Sequence, residues 1–232
     1  RVWLGHSGSG ANEAAMRAML TSGGRSRIVS FVGAYHGGTS GSMSISGHSS
    51  QSGASKFPGI LFLPYPDPYR PFMGDSSGQA VLQLLDYHLQ TDCPPEDVAA
   101  VFMEPVMSDG GLIVPPPGFL KAVQDRLQPH GALILCDEVK VGLGRSGRIH
   151  CFLHENLSPD VVTFGKGLGG ASGGCVSGRK EIVDLCRQKA RPYLFSNTVA
   201  PPIVAGAIKV LDLISQSTER RDKLEWNTKY WR

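Results

Sequence analysis

The sequence has 232 residues, of which 41% are hydrophobic and 19% are charged, and its formal net charge is +3. This balance is typical of a globular domain. The charges of both signs are mixed, so nucleic-acid binding, which needs clustered lysine and arginine, is not predicted. No apolar run approaches the roughly 20 residues of a membrane span, and the first residues predict no signal peptide.

Five cysteines, an odd number with no C-x-x-C spacing, predict reduced thiols, as in the cytoplasm or the mitochondrial matrix. His150, Cys151 and His154 offer zinc ligand types but lack a second cluster. We therefore predict no metal site.

Helical and strand patterns alternate along the chain. Helical spacing of apolar residues occurs at 11–20, 79–90, 118–127, 180–189 and 203–214. Continuous apolar runs, typical of strands covered on both faces, occur at 28–32, 60–63, 98–103, 132–136 and 161–164. The Ser/Gly-rich stretch 39–58 is predicted to be a loop. The alternation predicts an α/β fold with a mostly parallel sheet flanked by helices.

Ligands bind at the carboxyl edge of such a sheet, so residues that follow strands are the candidates for a site. Ser7-Gly8-Ser9-Gly10 opens the first helix, where free backbone N–H groups favour phosphate. An ordinary helix cap has the same pattern. Tyr35 and His36 lie on a glycine-bounded turn, where a ring can stack on a flat cofactor. The alternative is a surface turn.

Asp137 ends an apolar strand, and a buried aspartate beside a pyridinium nitrogen keeps that nitrogen protonated. The alternative is an acid that caps a helix or a loop. Lys166 follows another strand and lies among glycines, with no acid nearby in sequence. Desolvation of such a lysine would lower its pKa and suit Schiff-base chemistry. The alternative is an exposed loop lysine, the usual case.

Two nucleotide-binding motifs are excluded. Residues 142–147 fit G-x-G-x-x-G, but they do not directly follow a strand and no clear helix follows them, so a dinucleotide-binding fold is not predicted. No G-x-x-x-x-G-K-[ST] sequence is present.

The order of these motifs resembles that of the fold type I pyridoxal-phosphate (PLP) enzymes. Residues 1–165 resemble class III aminotransferases in the segments 7–15 (SGSGANEAA), 34–37 (AYHG), 104–106 (EPV), 137–147 (DEVKVGLGRSG) and 159–166. Amino-acid epimerases of the same class are also similar to this sequence, and that similarity includes the segment 64–70 (PYPDPYR). Residues 163–232 resemble glycine C-acetyltransferase (2-amino-3-ketobutyrate coenzyme A ligase). The sequence thus resembles one PLP-binding large domain, 1–232, with a chimeric junction near 163–170.

The resemblance implies a role for each matching residue. The catalytic residues would be Lys166, which forms the aldimine with PLP, and Asp137, which pairs with the pyridine nitrogen. The other cofactor-binding residues would be Ser7, Gly8 and Ser9 at the phosphate, Tyr35, His36 and Val139 at the ring, Glu104 nearby, Lys140 at the phenolic oxygen, and Ser196 and Thr198 at the neighbouring subunit's phosphate. Class III enzymes usually carry Gln where this chain has Lys140, and an ammonium there would change the aldimine's pKa. The active unit would be a homodimer.

The resemblance implies an aminotransferase that moves an amino group between an amino acid and a 2-oxo acid. It leaves two alternatives open. One is glycine C-acetyltransferase chemistry, with glycine and acetyl-coenzyme A as substrates. The other is a non-catalytic PLP-binding fragment, because we find no match to the small C-terminal domain that supplies the substrate-carboxylate arginine in class III enzymes. Racemisation without amino-group transfer would instead indicate the epimerases.

Overall fold

The computed structural model describes residues 1–169, 173–190 and 199–231. Within them, the strands are β1 (Val2–Gly5), β2 (Arg27–Val32), β3 (Ile60–Pro64), β4 (Val98–Met103), β5 (Leu133–Asp137), β6 (Val161–Phe164) and β7 (Gly174–Gly178). They form a single sheet in the order β1-β7-β6-β5-β4-β2-β3. Five neighbouring strands, β3, β2, β4, β5 and β6, pair in parallel in that order. Strand β7 pairs antiparallel with both β6 and β1. The predicted α/β fold with a mostly parallel sheet is confirmed.

The helices are α1 (Gly8–Ser22), α2 (Ser40–Ser44), α3 (Gln79–Gln90), α4 (Phe119–Leu127), α5 (Lys180–Lys189), α6 (Pro201–Gln216) and α7 (Glu219–Trp231). Short 3-10 turns lie at 49–51, 72–74, 95–97, 128–130 and 151–154. No helix in the described part of the chain is both long enough and apolar enough to cross a membrane.

A hydrophobic core lies on each face of the sheet. Every residue of β4 is buried, and from Ala100 to Met103 its side chains alternate between the two cores. Val101 and Met103 pack with α3 and α4, whereas Ala100 and Phe102 pack with α1 and α5. This double burial explains the continuous apolar run at 98–103.

The carboxyl ends of the strands converge on one edge of the sheet. Because β7 is antiparallel to both of its neighbours, β1 runs in the same direction as β6. The first turn of α1, which follows β1, therefore lies at the same edge as the residues that follow β2, β4, β5 and β6. The topology brings these chemistry-bearing segments together, as predicted from the sequence.

Two features differ from the predictions. Residues 40–44, predicted to be loop, form α2, which Glu13 of α1 holds by accepting a hydrogen bond from the backbone N–H of Gly41 at 2.9 Å. Strand β7 has little apolar sequence, and its pairing with β6 and β1 defines it. Residues 142–147 lie in turns, in agreement with the exclusion of a dinucleotide-binding motif.

Candidate active site

A cavity of about 450 Å³ opens at the carboxyl edge of the sheet. It is lined by ten of the predicted site residues: Ser7, Gly8, Ser9, Tyr35, His36, Glu104, Asp137, Val139, Lys140 and Lys166. These residues come from segments that are distant in sequence and meet only in the fold. The other two predicted residues, Ser196 and Thr198, lie outside the described residues.

The first turn of α1 forms one wall of the cavity. Ser7 is the N-cap, and its Oγ accepts a hydrogen bond from the backbone N–H of Gly10 at 3.0 Å. The first N–H groups of a helix have no intrahelical acceptor, and the positive end of the helix dipole favours an anion there. Ser9 Oγ accepts from the N–H of Gly38 at 3.1 Å, which ties this turn to the loop after β2.

Gly8 allows the helix to approach the opposite wall closely. A Cβ at this position would lie 2.7 Å from Cγ1 of Val139. Val139 therefore fills the space that a larger residue at position 8 would occupy, and the glycine is required by this close approach.

The Asp137 carboxylate is buried at the end of β5 and is surrounded by hydrogen-bond donors. Its Oδ2 lies 2.7 Å from Nδ2 of Asn12 and 2.8 Å from Nδ1 of His36. Its Oδ1 accepts from the backbone N–H of Val139 at 3.0 Å. Since an ionised carboxylate only accepts, His36 donates to it from Nδ1. These bonds fix the orientation of the Asp137 carboxylate toward the cavity.

Asn12 is a site residue that the sequence analysis did not assign. Its Nδ2 donates to Asp137 and also to the carbonyl of His36 at 2.8 Å, and its Oδ1 accepts from Thr163 Oγ1 at 2.7 Å. The side chain is buried on an otherwise alanine-rich face of α1. A polar residue at a helical core position was the available sequence signal, because a buried amide needs partners.

Glu104, which follows β4, holds two loops of the site together. Its Oε1 accepts from the N–H of Tyr35 at 2.9 Å. Its Oε2 accepts from the N–H and the Oγ of Ser108, at 2.9 and 2.6 Å. Burial raises the pKa of Glu104, and the charge of Asp137 adds to this effect, while His36 and the hydrogen bonds oppose it. Glu104 thus acts on the Tyr35 turn through the backbone.

Lys140 and Lys166 bring two side-chain amines to the cavity. Lys140 Nζ donates to Oδ1 of Asp109 at 2.9 Å. Lys166 follows β6 and is exposed in this chain. The expected desolvation of Lys166 is therefore not met within the described residues, although its position beside the cavity agrees with the prediction.

The comparisons with known proteins identify the family. The family model described as aminotransferase class III matches residues 1–225. The chain belongs to the class III aminotransferase family. The match includes residues 163–225, so the class III resemblance extends past the junction that the sequence analysis placed near 163–170.

Curated relatives and solved structures agree with this family. The chain is 35% identical to the alanine/serine racemase of Pyrococcus horikoshii over 97% of its own length and 49% of that protein. It is 36% identical to the diaminobutyrate–2-oxoglutarate aminotransferase of Haemophilus influenzae over 73% of the chain and 38% of that protein. A PLP-bound amine transaminase from an uncultivated Pseudomonas species matches 93% of the chain and 53% of its own length, with 26% identity and a TM-score of 0.78.

The relatives are longer than this chain. The chain spans about half the length of the first curated relatives it matches. The matched half includes the sheet and the cavity described above.

Proposed function

We propose that this chain binds PLP in the cavity at the carboxyl edge of the sheet and acts as an aminotransferase on an amino acid and a 2-oxo acid. The observation that carries the proposal is the presence, in one cavity, of a helix start, a buried aspartate and a lysine. These three groups match the three reactive parts of PLP, which are a phosphate, a pyridine nitrogen and an aldehyde.

The residues present fit this cofactor. The N–H groups at the start of α1 and the Ser7–Ser9 turn would bind the phosphate. The Asp137 carboxylate, held by Asn12 and His36, would hold a proton on the pyridine nitrogen. Tyr35 and Val139 would contact the ring, and Lys140 would lie at its phenolic oxygen. When bound, PLP supplies an electron sink for chemistry at the Cα of an amino acid.

Three residues of the chain would have separate roles in this chemistry. Lys166 would hold the aldehyde end of the cofactor, and its amine would take up and return the proton at the substrate's Cα. Asp137 would keep the pyridine nitrogen protonated while charge develops on the ring. Glu104 would hold the Tyr35 turn in place through its bond to the backbone N–H of Tyr35.

A racemase is the second candidate function. It is favoured by the similarity to the Pyrococcus horikoshii alanine/serine racemase, which extends over 97% of this chain. Both reactions begin with removal of the Cα proton, and they differ in where the proton returns. Amino-acid racemisation without formation of an oxo acid would replace the aminotransferase proposal.

We further infer a homodimer in a reducing compartment, the cytoplasm or the mitochondrial matrix. The five cysteines are all free and buried, which supports a reducing compartment. The dimer is proposed from the resemblance, through which Ser196 and Thr198 would reach the partner's phosphate. Its test is the mass of the PLP-loaded protein in solution.

The test of cofactor binding is borohydride reduction of the chain after incubation with PLP, followed by peptide mass mapping. We expect a pyridoxyl group on Lys166 and none in the variant K166A. Lys180, an exposed lysine of α5, serves as the control through K180A, which should still be labelled at Lys166. Equal labelling of both lysines would contradict a specific site.

The reaction is tested by incubating the PLP-loaded protein with amino acids and 2-oxoglutarate in D₂O. Oxo acid formation supports the aminotransferase. Deuterium incorporation with inversion and no oxo acid supports the racemase. Release of free coenzyme A from acetyl-coenzyme A and glycine would instead support glycine C-acetyltransferase. PLP binding with none of these conversions would mean that this chain binds the cofactor without catalysis.

A further inference from the structure

The side chain of Glu138 connects the two ends of the loop that follows β5. We call residues 139–150 the site loop, because its first residues, Val139 and Lys140, line the cavity. Glu138 precedes this loop and is 2% exposed. Its Oε1 accepts a hydrogen bond from the backbone N–H of Phe152, just beyond the loop, at 2.8 Å. One buried carboxylate oxygen therefore closes the site loop at its base.

The second carboxylate oxygen of Glu138 faces His150. The Oε2 atom of Glu138 lies 3.5 Å from Nδ1 of His150. Both atoms are buried, and neither has a hydrogen-bond partner within the described residues. The ring of His150 stacks on that of Phe152, with 5.0 Å between centroids, and lies 5.6 Å from that of Phe164. Since a protonated Nδ1 donates and a carboxylate accepts, two otherwise unpartnered atoms are placed opposite each other.

The site loop packs against the glycines on both sides of Lys166. A Cβ at Gly165 would lie 3.1 Å from Cγ1 of Val139. A Cβ at Gly167 would lie 3.0 Å from Cδ1 of Leu143. Leu143 has a φ of 56°, and a non-glycine residue keeps such a conformation only where the surrounding structure holds it. The position of the site loop therefore limits the movement of the segment that carries Lys166.

We propose that Glu138 and His150 form a buried positioning pair that holds the site loop against Gly165 and Gly167 and so positions Lys166. The inference rests on the proposed function in one respect, which is the role of Lys166. Removal of the His150 nitrogen would leave a buried carboxylate oxygen without a donor, and an unpaired buried charge is costly. The site loop should then open more readily.

The first experiment measures amide hydrogen exchange by mass spectrometry in the full chain without cofactor. It follows the peptides that contain the hydrogen-bonded N–H groups of Gly142, Gly144 and Phe152. The peptides of α3 are the reference in every sample, because their exchange would rise only if the whole domain were destabilised.

Two substitutions of His150 separate the hydrogen bond from the ring contact. H150F keeps an aromatic ring and removes the nitrogen, whereas H150N keeps a nitrogen donor and removes the ring. In H150F we expect exchange of the site-loop peptides to be about tenfold faster, because a hydrogen bond to a charged group is lost. In H150N exchange should stay within about threefold of the wild type. If H150F does not fold, H150A replaces it, because H150A and H150N both lack the ring and differ in the donor.

The double variant E138Q/H150F tests whether the two side chains act as a pair. A neutral amide costs less to leave unpaired than a carboxylate. Adding H150F to E138Q should therefore change the exchange of the site-loop peptides by less than about threefold. H130F is the matched control, because His130 is an exposed histidine after α4, and its exchange should equal that of the wild type.

The second experiment measures the consequence for Lys166. Each variant is mixed with limiting PLP, reduced with borohydride at a series of times, and mapped for the pyridoxyl group, with Lys180 as the reference. We expect labelling of Lys166 to be about tenfold slower in H150F, because small displacements of a reacting group cost rate. Labelling in H150N and H130F should match the wild type. Unchanged labelling in an H150F protein whose site loop has opened would overturn the positioning of Lys166.

The exchange measurement decides the pair without cofactor or turnover. Unchanged exchange in H150F, faster exchange in H150N than in H150F, or an equal effect of H150F with and without E138Q would overturn it. A wild-type chain that PLP does not label at Lys166, but that shows the expected exchange pattern, would support the hold on the site loop and overturn the proposed function. Labelling of Lys166 with unchanged exchange in H150F would overturn the pair alone.

Discussion

At the residue scale, the amide of Asn12 connects α1, the turn after β2, β5 and β6 through hydrogen bonds that use both donors and the oxygen. In N12A, Asp137 and the carbonyl of His36 lose a donor and Thr163 loses its acceptor. Buried groups left without partners cost about 1–3 kcal/mol. We expect the free energy of unfolding in urea to fall by about that amount.

A matched control for N12A is Q216A, which removes an amide from an exposed helix position. Its effect should stay within about 0.5 kcal/mol, as is usual for surface substitutions. An N12A protein as stable as Q216A would mean that the Asn12 network contributes nothing to the fold.

Glu104 predicts a dependence of stability on pH. Burial raises its pKa above the ordinary value of 4.5. The folded state therefore holds the proton more tightly than the unfolded state. The stability from this group is fully present below pH 4.5 and is lost as the pH rises through the raised folded-state pKa.

The variant E104Q removes this titration while keeping the shape of the side chain. The free energy of unfolding of the wild type, relative to E104Q, should therefore decline as the pH rises from 4.5 toward neutrality. Urea denaturation of both proteins at several pH values measures the difference. A difference that is constant with pH, or that rises, would contradict the raised pKa.

At the element scale, the close approach of α1 to the loop after β5 depends on Gly8. The added Cβ of G8A would lie 2.7 Å from Val139 Cγ1, so Val139 or the helix must move. Overpacking of this kind costs about 1–3 kcal/mol. We expect a lower free energy of unfolding and weaker binding of PLP, measured by urea denaturation and by equilibrium dialysis.

Gly53 provides the matched control for G8A. A Cβ at Gly53 would meet nothing within 4 Å, and G53A should leave stability and PLP binding unchanged. If G8A behaved like G53A in both measurements, the close approach would not constrain the site.

Sequence patterns predicted the strands and helices whose own apolar side chains form the hydrophobic core. The predicted strands 98–103 and 161–164 and the predicted helices 79–90 and 180–189 coincide with β4, β6, α3 and α5. Strand β7 could not be predicted in this way, because Gly174 and Gly178 allow neighbouring backbone segments to approach closely and carry no apolar side chain. A Cβ at Gly174 would lie 2.1 Å from the carbonyl oxygen of Ser7. That contact exists only in the folded sheet.

The same distinction between local sequence patterns and contacts formed only on folding applies to the candidate site. Asp137 and Lys166 were found because they end or follow apolar strands, which is a local signal. Asn12 and Asp109 were not assigned, because their roles depend on partners distant in sequence, Asp137 for Asn12 and Lys140 for Asp109. Local patterns thus predict which segments reach the site, and side-chain partners emerge only from the structure.

At the scale of the whole molecule, the two carboxyl-terminal helices differ from the rest. No described residue of α6 or α7 is buried. Their exposed apolar side chains include Ile208, Leu211, Leu224, Trp226, Tyr230 and Trp231. These helices therefore contribute little burial to the sheet domain, and the exposed apolar surface is available to a hydrophobic probe.

The variant W226Q/W231Q tests whether the exposed side chains of α7 contribute to the stability of the sheet domain. Trp226 and Trp231 are 64% and 84% exposed, whereas Trp3 is 1% exposed in the core beneath α1. We expect the double variant to bind less of the dye ANS and to keep the free energy of unfolding within about 0.5 kcal/mol of the wild type, because surface substitutions rarely do more. The chain has three tryptophans, so Trp3 alone would report unfolding by fluorescence in this variant.

Substitution of the buried tryptophan should give the reverse pattern. W3A removes a large core side chain and should cost about 3–5 kcal/mol, measured by circular dichroism in urea. A loss of stability in W226Q/W231Q comparable to that in W3A would show that α7 packs on the sheet domain in solution. Equal ANS binding by the double variant and the wild type would contradict the expectation that these two side chains form the exposed apolar surface that binds the dye.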